Sequence, residues 1–71
     1  MKQPDIYTQI VLYMFNGFSL YDAILKELRL TCSIPYLSHV RKELYKQYPY
    51  DHDSVDRAID RRHKEITLAY K

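Results

Sequence analysis

Only four of the 71 residues force the backbone locally, and they are Pro4, Gly17, Pro35 and Pro49. A fold of many short strands needs turn residues at every reversal, so one glycine and three prolines favour helix over a turn-rich β architecture. The four positions also divide the chain into segments of helical length. Pro4 suits a first helical turn, Gly17 the left-handed residue after a helix end, Pro35 the first turn of a later helix, and Pro49 a stop. One domain is the most that a chain of this length forms, with a net stability on the order of 5 kcal/mol.

Apolar periodicity fills in the segments. Ile6, Ile10, Tyr13 and Met14 recur at helical spacing, with Tyr7, Val11 and Phe18 widening the stripe, and the helix should stop near Asn16 with Phe18 folding back on Tyr13. Ser19 followed by Asp22 resembles a capping box. The second helix then turns Leu20, Ala23, Ile24 and Leu28 inward and Lys26, Glu27 and Arg29 outward, ending by Leu30, with Ser33 placed to cap the next. In the third, Leu37, Val40, Leu44 and Tyr48 form the stripe while His39, Arg41, Lys42 and Lys46 face solvent. After Pro49 the Asp51 to Ser54 cluster offers caps, with Asp53 or Ser54 the expected N-cap. The last helix buries Val55, Ala58, Ile59, Ile66 and Tyr70 and carries Arg57, Arg61 and Lys64 along another face. The expected fold is all-α, a small four-helix bundle over residues 1–71 containing a helix-turn-helix at 44–65, or alternatively at 19–48.

Charge and cysteine narrow the function classes. The excess of +2 lies wholly in residues 36–71, which carry eight basic and six acidic side chains, and a pI of 8.7 falls just short of that of many dedicated DNA-binding domains. A single cysteine, Cys32, precludes an internal disulfide and fits a reducing compartment, so a cytoplasmic location is expected. The longest apolar run, Ile10 to Phe15, is far below the roughly 20 residues that span a bilayer, and no membrane association or cleavable signal is expected.

Catalytic and metal chemistry find no foothold. The sequence has no glycine-rich phosphate loop, nucleophile elbow or Cys-His pair with an orienting partner, and the chain is expected not to be an enzyme. Three histidines and one cysteine at irregular intervals make no closed ligand set for His52 or His63 to join, so no metal or other cofactor is expected. Asp56 and Asp60, four apart beside arginines, suit ion pairing.

The segment Lys46-Gln-Tyr48, a short break, and Val55-Asp-Arg-Ala-Ile59 resembles the DNA-binding helix-turn-helix in the effector domains of sporulation master response regulators of endospore-forming bacteria. There a Lys-Lys-Tyr segment leads to Val-Glu-Arg-Ala-Ile. The resemblance covers about fifteen residues, with an echo in Gly17 to Ile24, and implies an all-helical domain whose last strong motif enters the major groove. Arg57 would then contact DNA while Val55, Ala58 and Ile59 pack. The chain departs from that family in having no receiver domain and in placing Asp60 at a basic position. A second stretch, Ser19 to Ala23 and then Ser33 to Val40, is similar to the helix pair of small phage terminase and excisionase-type domains, with a break several residues longer. That similarity implies that His39, Arg41, Lys42 and Lys46 face DNA and that the last helix packs or dimerises.

The leading expectation is therefore a small sequence-specific transcriptional regulator that binds double-stranded DNA. Its candidate contacts are Ser54, Arg57, Arg61 and Lys64, with Arg41, Lys42 and Lys46 from the other pair. So few cations would bind better as a homodimer, and helix one, apolar on more than one face, is the expected dimer surface. The alternative is a small phage or mobile-element protein that inhibits a host protein such as RNA polymerase or a nuclease. It would use exposed tyrosines, for which Tyr21, Tyr45 and Tyr50 are the candidates while Tyr13 and Tyr48 suit core or rim, and the acidic Asp51 to Asp60 segment.

Overall fold

A computed structural model describes residues 5–31 and 34–69, and among them four helices follow one another: α1 (Ile6–Phe15), α2 (Leu20–Thr31), α3 (Ile34–Gln47) and α4 (His52–Ala69). No strand occurs among the described residues, so the all-α expectation holds and the helices fall in the expected order. The expectations placed on Pro4, Cys32, Ser33 and Tyr70 lie outside the described residues.

Local chemistry sets each boundary. Asp5 caps α1 by accepting from the Thr8 amide at 2.8 Å, and that hydrogen bond lowers the pKa of its carboxyl. At the other end the Gly17 amide donates to the Met14 carbonyl and the Phe18 amide to that of Tyr13, both at 3.1 Å. This pair of bonds is a Schellman ending, which requires the left-handed φ of +97° that Gly17 adopts. Phe18 then lies 5.7 Å from the Tyr13 ring, as expected. Ser19 immediately caps α2, its Oγ accepting from the Asp22 amide at 3.2 Å.

Between α3 and α4 the Asp51 amide donates to the Tyr48 carbonyl at 3.1 Å, closing a four-residue turn with Pro49 at its second position. That turn delivers Asp51 to the helix start, and Asp51, rather than Asp53 or Ser54, is the N-cap. Its two oxygens accept from the Ser54 amide at 3.1 Å and the Ser54 hydroxyl at 2.8 Å. Asp53 falls instead in the first turn, where its charge complements the helix dipole.

The helices form two antiparallel hairpins joined through α2 and α4. Tyr13 reaches Glu27 across the first hairpin, and Tyr45 and Arg41 reach Asp56 and Asp60 across the second. Helices α2 and α4 run in the same direction, because Tyr21 meets Arg57 and Arg29 meets Glu65, each pair 36 positions apart. Ala23 and Ala58, both fully buried, fall near the same register and let the two helices approach closely. Helix α4 also packs along α3, whereas α2 and α3 make no comparable contact with each other among the described residues.

Leu20, Ala23, Ile24, Leu28, Leu37, Val40, Leu44, Tyr48, Val55, Ala58, Ile59 and Ile66 are buried, as the periodicity predicts. Two residues of α2 correct it. Leu25 joins the core, and Glu27, expected outward, is only 4% exposed. Its carboxylate accepts from the Tyr13 hydroxyl at 3.2 Å, so α1 packs over a position that a lone amphipathic helix would leave wet. Helix α1 contributes one fully buried side chain, Ile10. Tyr21 and Tyr45, expected at the surface, are half-buried against the core, while Tyr50 is exposed. No helix of the described residues is long and apolar enough to cross a membrane.

An added Cβ at Gly17 would meet nothing within 4 Å, so its substitution tests backbone conformation alone. Gly17→Ala is expected to cost about 1 kcal/mol through the positive φ. A thermal melt should show this as a fall in Tm of roughly 4–8 °C for a domain of this size, with no change in fold.

Candidate nucleic-acid interface

Four residues of α4 in the pattern Arg57, Arg61, Lys64 and Leu68 lie at helical steps on one side of the helix, and α2 sets Tyr21 beside them. Together with Asp60 and Glu65 they line an open groove of about 500 Å³. The structure thus brings together the three cations expected of a recognition helix. The charges of the two arginines are not free, however. Arg57 pairs with Asp53 one turn earlier at 3.6 Å and sits 5.8 Å from the centre of the Tyr21 ring, and Arg61 pairs with Glu65 at 3.2 Å. Lys64 is exposed and makes no salt bridge among the described residues. Ser54 is half-buried and engaged with its cap, so its hydroxyl proton is already donated.

Glu65 is the electrostatic centre of this side of the molecule. Arg29 of α2 donates to both its oxygens, with Nε at 3.0 Å, while Arg61 and Arg62 approach at 3.2 and 3.4 Å. The Arg29 hydrogen bonds, reinforced by those from Arg61 and Arg62, outweigh partial burial and hold the carboxyl at a pKa of about 2. Three guanidinium groups around one carboxylate leave a local positive excess at the α2–α4 seam. Glu65 is absent from the expected site residues. Its i, i+4 and i, i+3 spacing from Arg61 and Arg62 is a signal that could have found those two pairs, but Arg29 lies 36 positions away and no sequence signal points to it.

Arg41 is also drawn inward. Expected to face solvent, it lies between α3 and α4 with its side chain 38% exposed, 2.9 Å from Asp60 and 3.6 Å from Asp56. Asp56 further accepts from the Tyr45 hydroxyl, and this bond is the main cause of the raised Tyr45 pKa. The ion pairing expected of Asp56 and Asp60 therefore crosses to α3 and does not stay with the arginines of α4. Tyr45 also stacks on His52, with ring centres 3.9 Å apart.

What remains exposed on α3 is a face made of Pro35, Tyr36, Ser38, His39, Lys42, Lys46 and Gln47. Its only acid, Glu43, is half-buried and pairs with Lys46 at 3.5 Å. Lys42 makes no salt bridge among the described residues, and Tyr36 lies against His39 with ring centres 5.3 Å apart. Near its start, α3 thus exposes an aromatic ring, a hydroxyl and an imidazole, followed by two cations one turn apart. A break several residues too long was expected ahead of this helix, yet α2 runs to Thr31 and α3 begins at Ile34.

Compared with protein-family models, curated proteins and solved structures, the chain matches none of them. The interface is accordingly argued from its own geometry. Among the described residues no group of three or more His, Cys, Asp or Glu side chains is placed to hold a metal ion.

Because the Glu65 pKa is depressed from 4.5 to about 2, its contribution to stability is present above about pH 4.5 and is lost as the pH falls toward 2. Glu65→Gln is expected to lower stability at pH 7 by about 1–2 kcal/mol, discounted for the partial exposure of its partners. The variant should also flatten the acid dependence of Tm between about pH 4.5 and 2, as followed by circular dichroism. Equal acid dependence in the two proteins would remove Glu65 from this role.

Proposed function

We propose that the protein binds double-stranded DNA through α3, presented to the major groove, with α4, on which it packs, as its support. The observation that carries this reading is the outer face of α3. It presents Lys42, Lys46 and hydrogen-bond donors with one half-buried acid, Glu43, among them, whereas Asp53 and Asp60 stand exposed among the cations of α4. Phosphates lie on both sides of a groove, so an unscreened acid on the entering face would be repelled. On α4 every arginine of the candidate set has an acid within reach, and Asp60 lies between Arg57 and Arg61.

In this reading Lys42 and Lys46 contact phosphate, and Ser38 and His39, nearer the start of α3, reach base edges. Tyr36 packs at the groove edge. Arg41 acts through position: tied to Asp56 and Asp60, it fixes the roll of α3 on α4 and thereby which residues point outward. Arg57, Arg61 and Lys64 flank the contact and add to the local potential. The alternative of a protein-binding inhibitor draws on the acidic Asp51 to Asp60 segment, whose carboxylates are engaged within the molecule. Asp51 caps α4, Asp53 pairs with Arg57, and Asp56 and Asp60 hold Arg41.

The test is a fluorescence titration against a pool of random duplex DNA at several salt concentrations, followed by sequencing of the bound fraction. Binding should weaken with added salt, and Lys42→Ala with Lys46→Ala should reduce the slope of log K against log salt by about 2. His39→Ala should cost about 1–3 kcal/mol on the selected sequence and little on random DNA. Absence of retention at low salt sinks the DNA reading. Loss of binding in Arg57→Ala and Arg61→Ala, with the α3 variants unaffected, returns the contact to α4.

A further inference from the structure

Helix α1 has two apolar faces, and only one of them is covered. Ile6, Ile10, Tyr13 and Met14 form the inner stripe, packed on α2. Thr8, Val11, Leu12 and Phe15 form an outer stripe at positions i, i+3, i+4 and i+7, with Val11 38%, Leu12 44% and Phe15 84% exposed. No other helix carries such a stripe. The remaining exposed large apolar residues among those described, Phe18, Leu30, Tyr36, Tyr50 and Leu68, fall one each on five different segments. We propose that the outer stripe of α1 is a self-association surface, and that its occupant is α1 of a second copy of this chain, packed antiparallel about a two-fold axis.

Charge argues for a second copy. From Ile6 to Tyr21 the chain runs for 16 residues without an Asp, Glu, Lys, Arg or His, although 28% of all its residues are charged. A two-fold contact places each patch against itself, so a patch with a net charge of one sign would repel its own copy, and an uncharged one does not. The stripe avoids that cost entirely, and it offers nothing that a nucleic acid, an anionic lipid surface or a charged cleft would select. Its shape is a ridge one helix long, about 15 Å, which suits another helix ridge seated beside it.

Area sets the strength. The exposed parts of Val11, Leu12 and Phe15 come to roughly 300 Å² of apolar surface per copy, Phe15 supplying about half. A standard stable complex buries about 800 Å² on each partner, so α1 supports a weak, reversible dimer that forms only at high protein concentration. This inference does not depend on the DNA reading. Were both correct, two copies of α3 would be carried by one particle, and each would raise the effective concentration of the other on a two-fold symmetric site.

The measurement is sedimentation equilibrium of the full chain without DNA, from about 10 μM to about 1 mM, the range in which weak association is read. The mass is expected to rise from that of the 8.6 kDa monomer toward twice that value. Phe15→Glu, and independently Leu12→Lys, should each hold the mass at the monomer value while leaving the helical circular dichroism intact, because neither side chain belongs to the buried core. Leu68→Glu, at an exposed apolar position on α4, should associate like the parent. A parent that stays monomeric throughout overturns the proposal, as does association that survives both α1 variants or that Leu68→Glu alone abolishes. In the last case the contact lies on α4.

Discussion

Burial of the apolar stripe of α4 is the constraint on which the rest of the structure depends. Val55, Ala58, Ile59 and Ile66 face inward on one helix, and that helix alone packs along both α2 and α3. Among the described residues helix α1 is held mainly through α2. Without α4 the two hairpins would have no shared core, because α2 and α3 are neighbours in sequence but not in packing. The close approach that Ala23 and Ala58 permit is therefore worth more than the small area of two methyl groups suggests. It sets the separation at which every larger side chain around it interdigitates.

Polar ties fix what the apolar stripe leaves undetermined, namely how each helix is rotated about its axis. Glu65 with Arg29 sets α2 on α4, and Arg41 with Asp56 and Asp60 sets α3 on α4. A single surface pair contributes little to stability, but a carboxylate gripped by three guanidinium groups is a network, and networks hold geometry better than isolated pairs. This arrangement has a functional side. Cations committed to ion pairs are poor candidates for gripping a ligand, which is why formal charge overstates what both α3 and α4 present. Among the described residues Lys42 of α3 and Lys64 of α4 stand without a salt bridge.

Much of this was legible in the sequence, and the reason differs by element. Gly17, Phe18 and Ser19 announce a helix end and a helix start because both endings are local hydrogen-bond patterns within four residues. The stripes of α3 and α4 were legible because each helix buries a single face. Glu27 was misplaced because its burial is imposed by α1 across the hairpin, and periodicity within α2 carries no trace of that neighbour. Asp51 was passed over as the cap because the turn from Tyr48 to Asp51 ends two residues earlier than the cluster of capping side chains suggests. For the candidate site, the residue types were visible and their pairing was not. Arg41 reads as a solvated charge, and Asp56 and Asp60 as partners of the α4 arginines, until α3 and α4 are set antiparallel, and Tyr21 and Arg29 belong to a helix that the pattern offers no reason to lay beside α4.

That α4, the shared partner of α2 and α3, follows both of them in the sequence bears on how the protein is made. A ribosome releases α1, its Schellman ending and α2 first, and this hairpin closes through local contacts on its own fast timescale. Helix α3 then emerges with its apolar stripe of Leu37, Val40 and Leu44 bare, since α2 does not cover it. Throughout that interval the nascent chain carries an uncovered seam that invites chaperones or other nascent chains. The order of the helices thus makes completion of the core a single late event, an all-or-none closure triggered by the arrival of α4.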